Sequence, residues 1–216
     1  SESSWSLSKY PLFAIALGPT GWYSWTSPDV LLDPLVCEHK GHLIPFGKRD
    51  EEAQLVIGHN VSFDRIYINE EYRLELGQRR FMDTMSLHCA IAGLSSQQRP
   101  EWNRKKSDGV VVEDCDGLTL GGTTGNPKWT EHSSMNNLAD AVKLHVGVTV
   151  DKSDVRLLID ATWQSLQENH QKILQYCARD VEATTKLFQA LWPKFTTKCP
   201  HPVSQAGMLM MGSMIL

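Results

Sequence analysis

Gln54-Leu-Val-Ile-Gly-His-Asn-Val-Ser-Phe-Asp64 reads as a strand that runs through a glycine into the first turn of a helix. Gln54 to Ile57 is a short apolar run of strand type. Gly58 and His59 interrupt it, and Asn60 is a residue type favoured at a helix N-cap. The helix predicted from Asn60 extends to about Tyr72. Downstream, Arg80-Phe-Met82 predicts a second short strand. Asp83 then predicts the cap of a helix over Thr84 to Ala92, stopped by Gly93. Strands alternating with helices in this way indicate α/β architecture.

Upstream, the apolar run Leu12-Phe-Ala-Ile-Ala-Leu17, the turn Gly18-Pro-Thr-Gly21 and Trp22-Tyr-Ser-Trp25 predict a β-hairpin, so part of the sheet is antiparallel. Residues 26–50, with Pro28, Pro34, Gly41, Pro45 and Gly47, read as an irregular connection. Residues 97–135 show no sustained period and read as an insertion or mobile loop, too long for an ordinary connection. Beyond them Asn136 or Asn137 caps a helix through His145, ended by Gly147. Two helical segments follow over 164–178 and 180–192. The Met-rich tail from Val203 to Leu216 is expected to pack on something beyond the chain.

Composition narrows the class. The 216 residues are 41% apolar and 21% charged, with a net charge of −4, as expected of a globular chain of one to one and a half domains. No run of ~18 apolar residues occurs, so no membrane span is predicted. The charge balance does not advertise nucleic-acid binding, and such a claim must rest on motifs. The five cysteines are odd in number, widely spaced and without a CxxC pair, which argues against a disulfide framework or a zinc site. His88, His132, His145 and His170 lack metal-pair spacing and read as surface or packing residues. Arg104-Lys-Lys106 reads as a solvated loop, and Gly121 to Gly125 does not join a strand to a helix as a phosphate loop would. Ser1 in place of Met marks the chain as a processed product or a fragment.

Two segments carry the same spacing. Asn60 and Asp64 are four apart at a helix start, and Tyr176 and Asp180 are four apart within Tyr176-Cys-Ala-Arg-Asp180. Residues i and i+4 share a helix face. Each segment therefore offers one carboxylate beside one neutral polar group. On the second helix Leu174, Cys177, Val181, Phe188 and Leu191 form the expected apolar stripe, with Tyr176 and Asp180 on its border. Converging carboxylates suit hard divalent cations, and two such ions ~3.5–4 Å apart support phosphodiester hydrolysis. Taken singly, each acid also has a structural reading. Asp64 would favour the positive end of a helix, and Asp180 would pair near Arg179 or with Lys186.

Together these segments resemble the proofreading exonuclease domain of family A DNA polymerases, most closely the gamma polymerases of mitochondria. Gly58-His-Asn-Val-Ser-Phe-Asp-Arg65 resembles the second exonuclease motif of that family. Phe81-Met-Asp-Thr-Met-Ser-Leu-His88 with Ala90 to Ser96 resembles the segment after it, and Tyr176 to Asp180 the third motif in its Tyr form. Trp22 to Trp25 and Cys199-Pro-His-Pro-Val203 through Met208 also resemble the gamma type. The resemblance implies a ribonuclease-H-like 3′–5′ exonuclease fold, a mixed sheet flanked by helices. It implies two Mg²⁺ ions, with Asp64 and Asp180 as metal ligands and Tyr176 orienting the attacking water. Asn60 and Phe63 would lie beside the 3′-terminal nucleotide, and Asp83 would not be a ligand. The family's first motif, Asp-x-Glu, is expected on a central strand between Leu12–Leu17 and Gln54–Ile57. Counting back from Trp22 puts its Glu near Glu2, leaving the first strand largely missing from this chain.

The function implied is the proofreading portion of a mitochondrial DNA-directed DNA polymerase. Residues 1–196 would be the exonuclease domain, and 197–216 the start of a linker toward an absent polymerase domain. Its partners would be a DNA primer 3′ end, that polymerase domain and an accessory subunit, with no membrane, in the mitochondrial matrix or nucleoid. Without the first motif the fragment itself would be impaired. Alternatives are a non-catalytic domain that binds a DNA end or braces the polymerase, and a stand-alone Tyr-type exoribonuclease.

Overall fold

The computed structural model describes residues 11–31, 43–45, 54–69, 79–94, 98–100, 102–103, 132–159 and 161–198. Glu2, most of the 97–135 stretch and the Met-rich tail lie outside the described residues. The described chain is a mixed α/β arrangement. Strands β1 (Phe13–Gly18) and β2 (Gly21–Thr26) form the expected antiparallel hairpin, closed by the Gly18↔Gly21 pair. A short helix, α1 (Pro28–Leu31), follows, then β3 (Ile44–Pro45). Strand β4 (Gln54–Gly58) leads into α2 (Val61–Arg65), β5 (Ile68–Asn69), β6 (Arg79–Asp83) and α3 (Thr84–Ala92). Further α-helices are α4 (Leu138–Val146), α5 (Arg156–Ile159), α6 (Trp163–Glu168) and α7 (His170–Lys198). Among the described residues β3 pairs with β5 and β4 with β6, both parallel. No described helix is long and apolar enough to cross a membrane.

Helix ends follow local chemistry where the chain offers it. Asp83 caps α3 by accepting the Met85 N–H, as predicted. Asn137, rather than Asn136, caps α4 through the Asp140 N–H, and Gly147 ends that helix in the left-handed conformation at φ 78. Two expectations need correction. The helix from Asn60 does not reach Tyr72. It ends at Arg65, because Ile68 and Asn69 pair in parallel with Ile44 and Pro45, and the Tyr67 carbonyl accepts the Ile44 N–H at 2.8 Å. That non-local pairing overrides local helix propensity. The last two helices also divide elsewhere. Thr162 and Ser165 form a capping box at the start of α6, the break falls at Asn169, and α7 runs unbroken through Arg179 and Asp180. No glycine or proline stands between residues 170 and 192 to stop it, and α7 continues past Pro193 to Lys198.

Helix α7 organises the interior by packing against α3, α4, β1 and β4. One core gathers Met82, Leu87, Ala141 and Val142 around Ala183, Leu187, Leu191 and Phe195 of α7. A second gathers Val30, Ala161 and Leu166 around Ile173, with Phe13 and Cys177 packed against it. The buried stripe of α7 thus centres on Ile173, Ala183, Leu187, Leu191 and Phe195, displaced from the predicted Leu174 and Val181. Truncating a fully buried leucine such as Leu187 would cost ~2–5 kcal/mol. Two of the packing histidines meet. Fully buried His88 bonds His145 at 3.0 Å and the Ser134 carbonyl at 3.3 Å, while Lys194 reaches His145 at 3.2 Å. The carbonyl requires His88 Nε2–H to donate, so His88 Nδ1 accepts from His145 Nε2–H, and His145 Nδ1 accepts from Lys194. Burial and the facing Lys194 push His145 down to about 4, which keeps this chain of bonds in one direction.

Candidate active site

Parallel strands β4 and β6 end side by side at Gly58 and Asp83. In open α/β sheets, ligand sites lie outside such carboxyl ends. Beyond Gly58 the chain makes a tight hook. A Cβ on Gly58 would stand 2.7 Å from Cγ2 of Val61, so glycine is required there. Asn60 adopts left-handed φ 60, ψ 44, which an asparagine tolerates better than most residues. Its side chain makes no capping bond to α2, against the N-cap expectation. Instead its backbone N–H donates to Asp83 Oδ1 at 2.7 Å. Buried Asp83 also accepts the Met85 N–H and the Ser86 hydroxyl, each at 3.0 Å. With three donors around it, this carboxylate is engaged as a cap and brace.

The hook leaves Asn60, Phe63 and Asp64 facing solvent together. Phe63 meets Tyr67 edge-on at 5.5 Å, so its ring is held from one side and open on the other. Asp64 keeps its access to water. Protein packed beside its carboxyl, and secondarily the charge of Asp83, still push it up to about 6.

Tyr176 and Asp180 occupy one face of α7, both half-buried, at the junction of the two cores. The Tyr176 hydroxyl lies beside the Asp180 carboxylate and favours its ionised form. Burial first, and Asp180 second, push the Tyr176 hydroxyl up to about 12, so it stays protonated and can only donate to that carboxylate. Burial also raises Asp180, opposed by the Tyr176 bond and by the charges of Lys152, Arg179 and His59. Arg179 itself turns to Asp154, in a close ion pair, and to Asp151 at 3.7 Å. Among the described residues no ion pair joins Asp180 to Arg179 or Lys186, although the charge of Arg179 still acts on it.

The two motif segments meet through His59. Its Nε2 is 2.8 Å from the Asn136 carbonyl and its Nδ1 is 3.0 Å from the Thr84 hydroxyl, while its ring feels the charges of Asp83 and Asp180. Sequence reasoning passed over His59 and Lys152. The former lies inside the deciding stretch, but its partners are remote in sequence. Among the described residues no three His, Cys, Asp or Glu side chains are grouped as a ready cation cage. The donor chemistry nevertheless fits a hard divalent ion. Asp64 and Asp180 offer carboxylate oxygens, both raised by burial, which the charge of Asp83 reinforces at Asp64 and which Lys152, Arg179 and His59 oppose at Asp180.

Comparison with known proteins places these features in a family. A family profile described as DNA mitochondrial polymerase exonuclease domain matches residues 1–195. DNA polymerase gamma of Saccharomyces cerevisiae is 37% identical over 220 residues, covering 100% of this chain and 17% of that protein. DNA polymerase subunit gamma-1 of Xenopus laevis is 37% identical over 94% of this chain and 19% of its own length. The mitochondrial DNA polymerase subunit gamma-1 of Drosophila melanogaster is 36% identical over 95% of this chain and 18% of its own length. The chain spans less than a fifth of the length of each of these relatives.

Proposed function

This chain belongs to the exonuclease-domain family of mitochondrial DNA polymerases, and on that footing we propose that it is the 3′→5′ proofreading portion of a mitochondrial DNA-directed DNA polymerase. Its mixed α/β arrangement is then part of a ribonuclease-H-like fold. Residues 1–196 form the exonuclease domain, with 97–135 as an insertion, and 197–216 lead toward a polymerase domain of the same chain. The substrate is the 3′ end of a DNA primer, in the mitochondrial matrix.

One observation carries the reading. The Asp180 carboxylate lies beside the Tyr176 hydroxyl and in the field of His59, which heads the hook that bears Asp64. This supports a reading in which two acids on separate elements serve one centre. Asp64 and Asp180 would hold Mg²⁺, with Glu2 as a further candidate ligand. Two bound ions would supply charge stabilisation to the terminal phosphodiester and to the attacking water. Tyr176 orients that water through its hydroxyl. Asn60 and Phe63 hold the terminal nucleotide, the aromatic ring offering a stacking face to any base. Hydrolysis breaks the bond between phosphorus and the penultimate 3′ oxygen and releases a nucleoside 5′-monophosphate.

The test uses the full-length protein on a labelled primer with a mismatched 3′ end. Excision should yield nucleoside 5′-monophosphates, stop with EDTA and be lost in Asp180→Asn while polymerisation persists. End binding without metal-dependent excision would make the domain a DNA-end-binding module instead.

A further inference from the structure

We propose that His59 is a positioning residue for excision: its ring is the clasp that holds the Asn60–Asp64 hook in register with the helix carrying Asp180. This rests on the exonuclease reading above and names a part of that site which neither its acids nor Tyr176 supply.

The geometry begins with the hook. Gly58 and left-handed Asn60 turn the chain so tightly that His59 lies inside while Asn60, Phe63 and Asp64 lie outside. The Asn60 N–H also fixes the hook to the sheet through Asp83, and just beyond the hook Arg65 lies over the Phe81 ring at 4.5 Å. These contacts tie the hook to its own strand pair and say nothing about where α7 lies. His59 supplies the second direction. A carbonyl only accepts, so the 2.8 Å contact with Asn136 makes Nε2 a donor. In the neutral ring Nδ1 is then an acceptor, 3.0 Å from the Thr84 hydroxyl. The Gly58 carbonyl stands 3.0 Å from the same hydroxyl, so the single Thr84 proton is shared between these two acceptors.

Asn136 adjoins Asn137, the cap of α4, and α4 packs directly on α7. The bond from His59 to the Asn136 carbonyl therefore joins the Asp64 hook to the α4–α7 unit that presents Asp180. Asp83, Lys152 and Asp180 are the charged groups that act on the ring, and its burial favours the neutral form this bonding pattern uses. Loss of the ring would leave the Asn136 carbonyl without this donor and free the hook to shift against α7. A shift of ~1 Å in a reacting constellation costs on the order of 100-fold in rate.

Full-length His59→Phe and His59→Gln separate hydrogen bonding from bulk. The phenyl ring keeps volume and loses both bonds. The Gln amide can donate to the Asn136 carbonyl and accept from Thr84. The readouts are kcat and KM for excision of single-stranded DNA, polymerisation rate and thermal midpoint. For His59→Phe, excision kcat should fall about 10–100-fold, with KM and polymerisation near wild type. His59→Gln should recover most of the loss at a similar thermal midpoint. Full activity in the Phe variant, or equal impairment of both variants, beside an active wild type overturns the role of His59 alone. A wild type that excises nothing, while Asp180→Asn is indistinguishable from it, overturns the exonuclease reading and this role with it.

Discussion

Tyr176 shows how one hydroxyl sets the state of its neighbour. It lies beside Asp180 and holds that carboxyl below where burial alone would put it. In Tyr176→Phe the hydroxyl goes and no charge is removed. Asp180 should then titrate at higher pH, so the acid limb of the kcat/KM profile for excision should move upward in pH. The rate at the optimum should drop by about 10²-fold or more, within the range for a group that positions a proton or a water. A pH–rate series on wild type and Tyr176→Phe checks both. An unmoved acid limb would mean that the hydroxyl does not act through Asp180. The Tyr176–Asp180 pair was legible as i, i+4 spacing in the sequence, and the cap at Asp83 as a strand end followed by a helix. His59 was not, because its bonds span 25 residues to Thr84 and 77 to Asn136, and no local pattern encodes them.

The hook between β4 and α2 is the element on which the site turns. Its sequence announced a strand, a glycine and a helix start, and the structure has all three. The length of the helix was misjudged because Ile66-Tyr-Ile68 is equally at home in a strand, and the pairing with Ile44 decided the matter from outside the segment. The division between α6 and α7 was misjudged for a different reason. Asn169 closes α6 by local bonding, its side chain donating to the Ser165 carbonyl, without a glycine or proline to mark the place. The hook's sensitivity follows from its tightness. Gly58→Ala would press a methyl group to 2.7 Å from Val61 Cγ2 and 2.9 Å from Val61 Cβ, and buried Val61 has little room to retreat. Overpacking of this kind costs ~1–3 kcal/mol, or about 2–4 °C of thermal midpoint per kcal/mol in a domain of this size. Excision should suffer more than stability, since the strain falls on the turn that aims Asp64. Thermal melts beside excision rates for Gly58→Ala would show it. A destabilised variant with undiminished excision per folded molecule would contradict that coupling.

At the scale of the molecule, α7 is shared by two cores, and Asp180 stands where they meet. The carboxylate there is placed by packing on both sides of it, whereas Asp64 is placed by the end of a parallel strand pair and a three-bond brace at Asp83. A motif in the sequence marks each acid, but only the folded chain brings their segments together, through α4 and His59. If they serve one centre, neither can work without the other. The most direct measurement is a double-mutant cycle on metal-dependent excision by the full-length protein, comparing Asp64→Asn, Asp180→Asn and the pair. Groups that act as a unit are strongly non-additive. The double variant should therefore excise no more slowly than the worse single variant, with each single already reduced by at least about 10³-fold. Losses that multiply, or a single variant with near-normal excision, would show that Asp64 and Asp180 do not form one site.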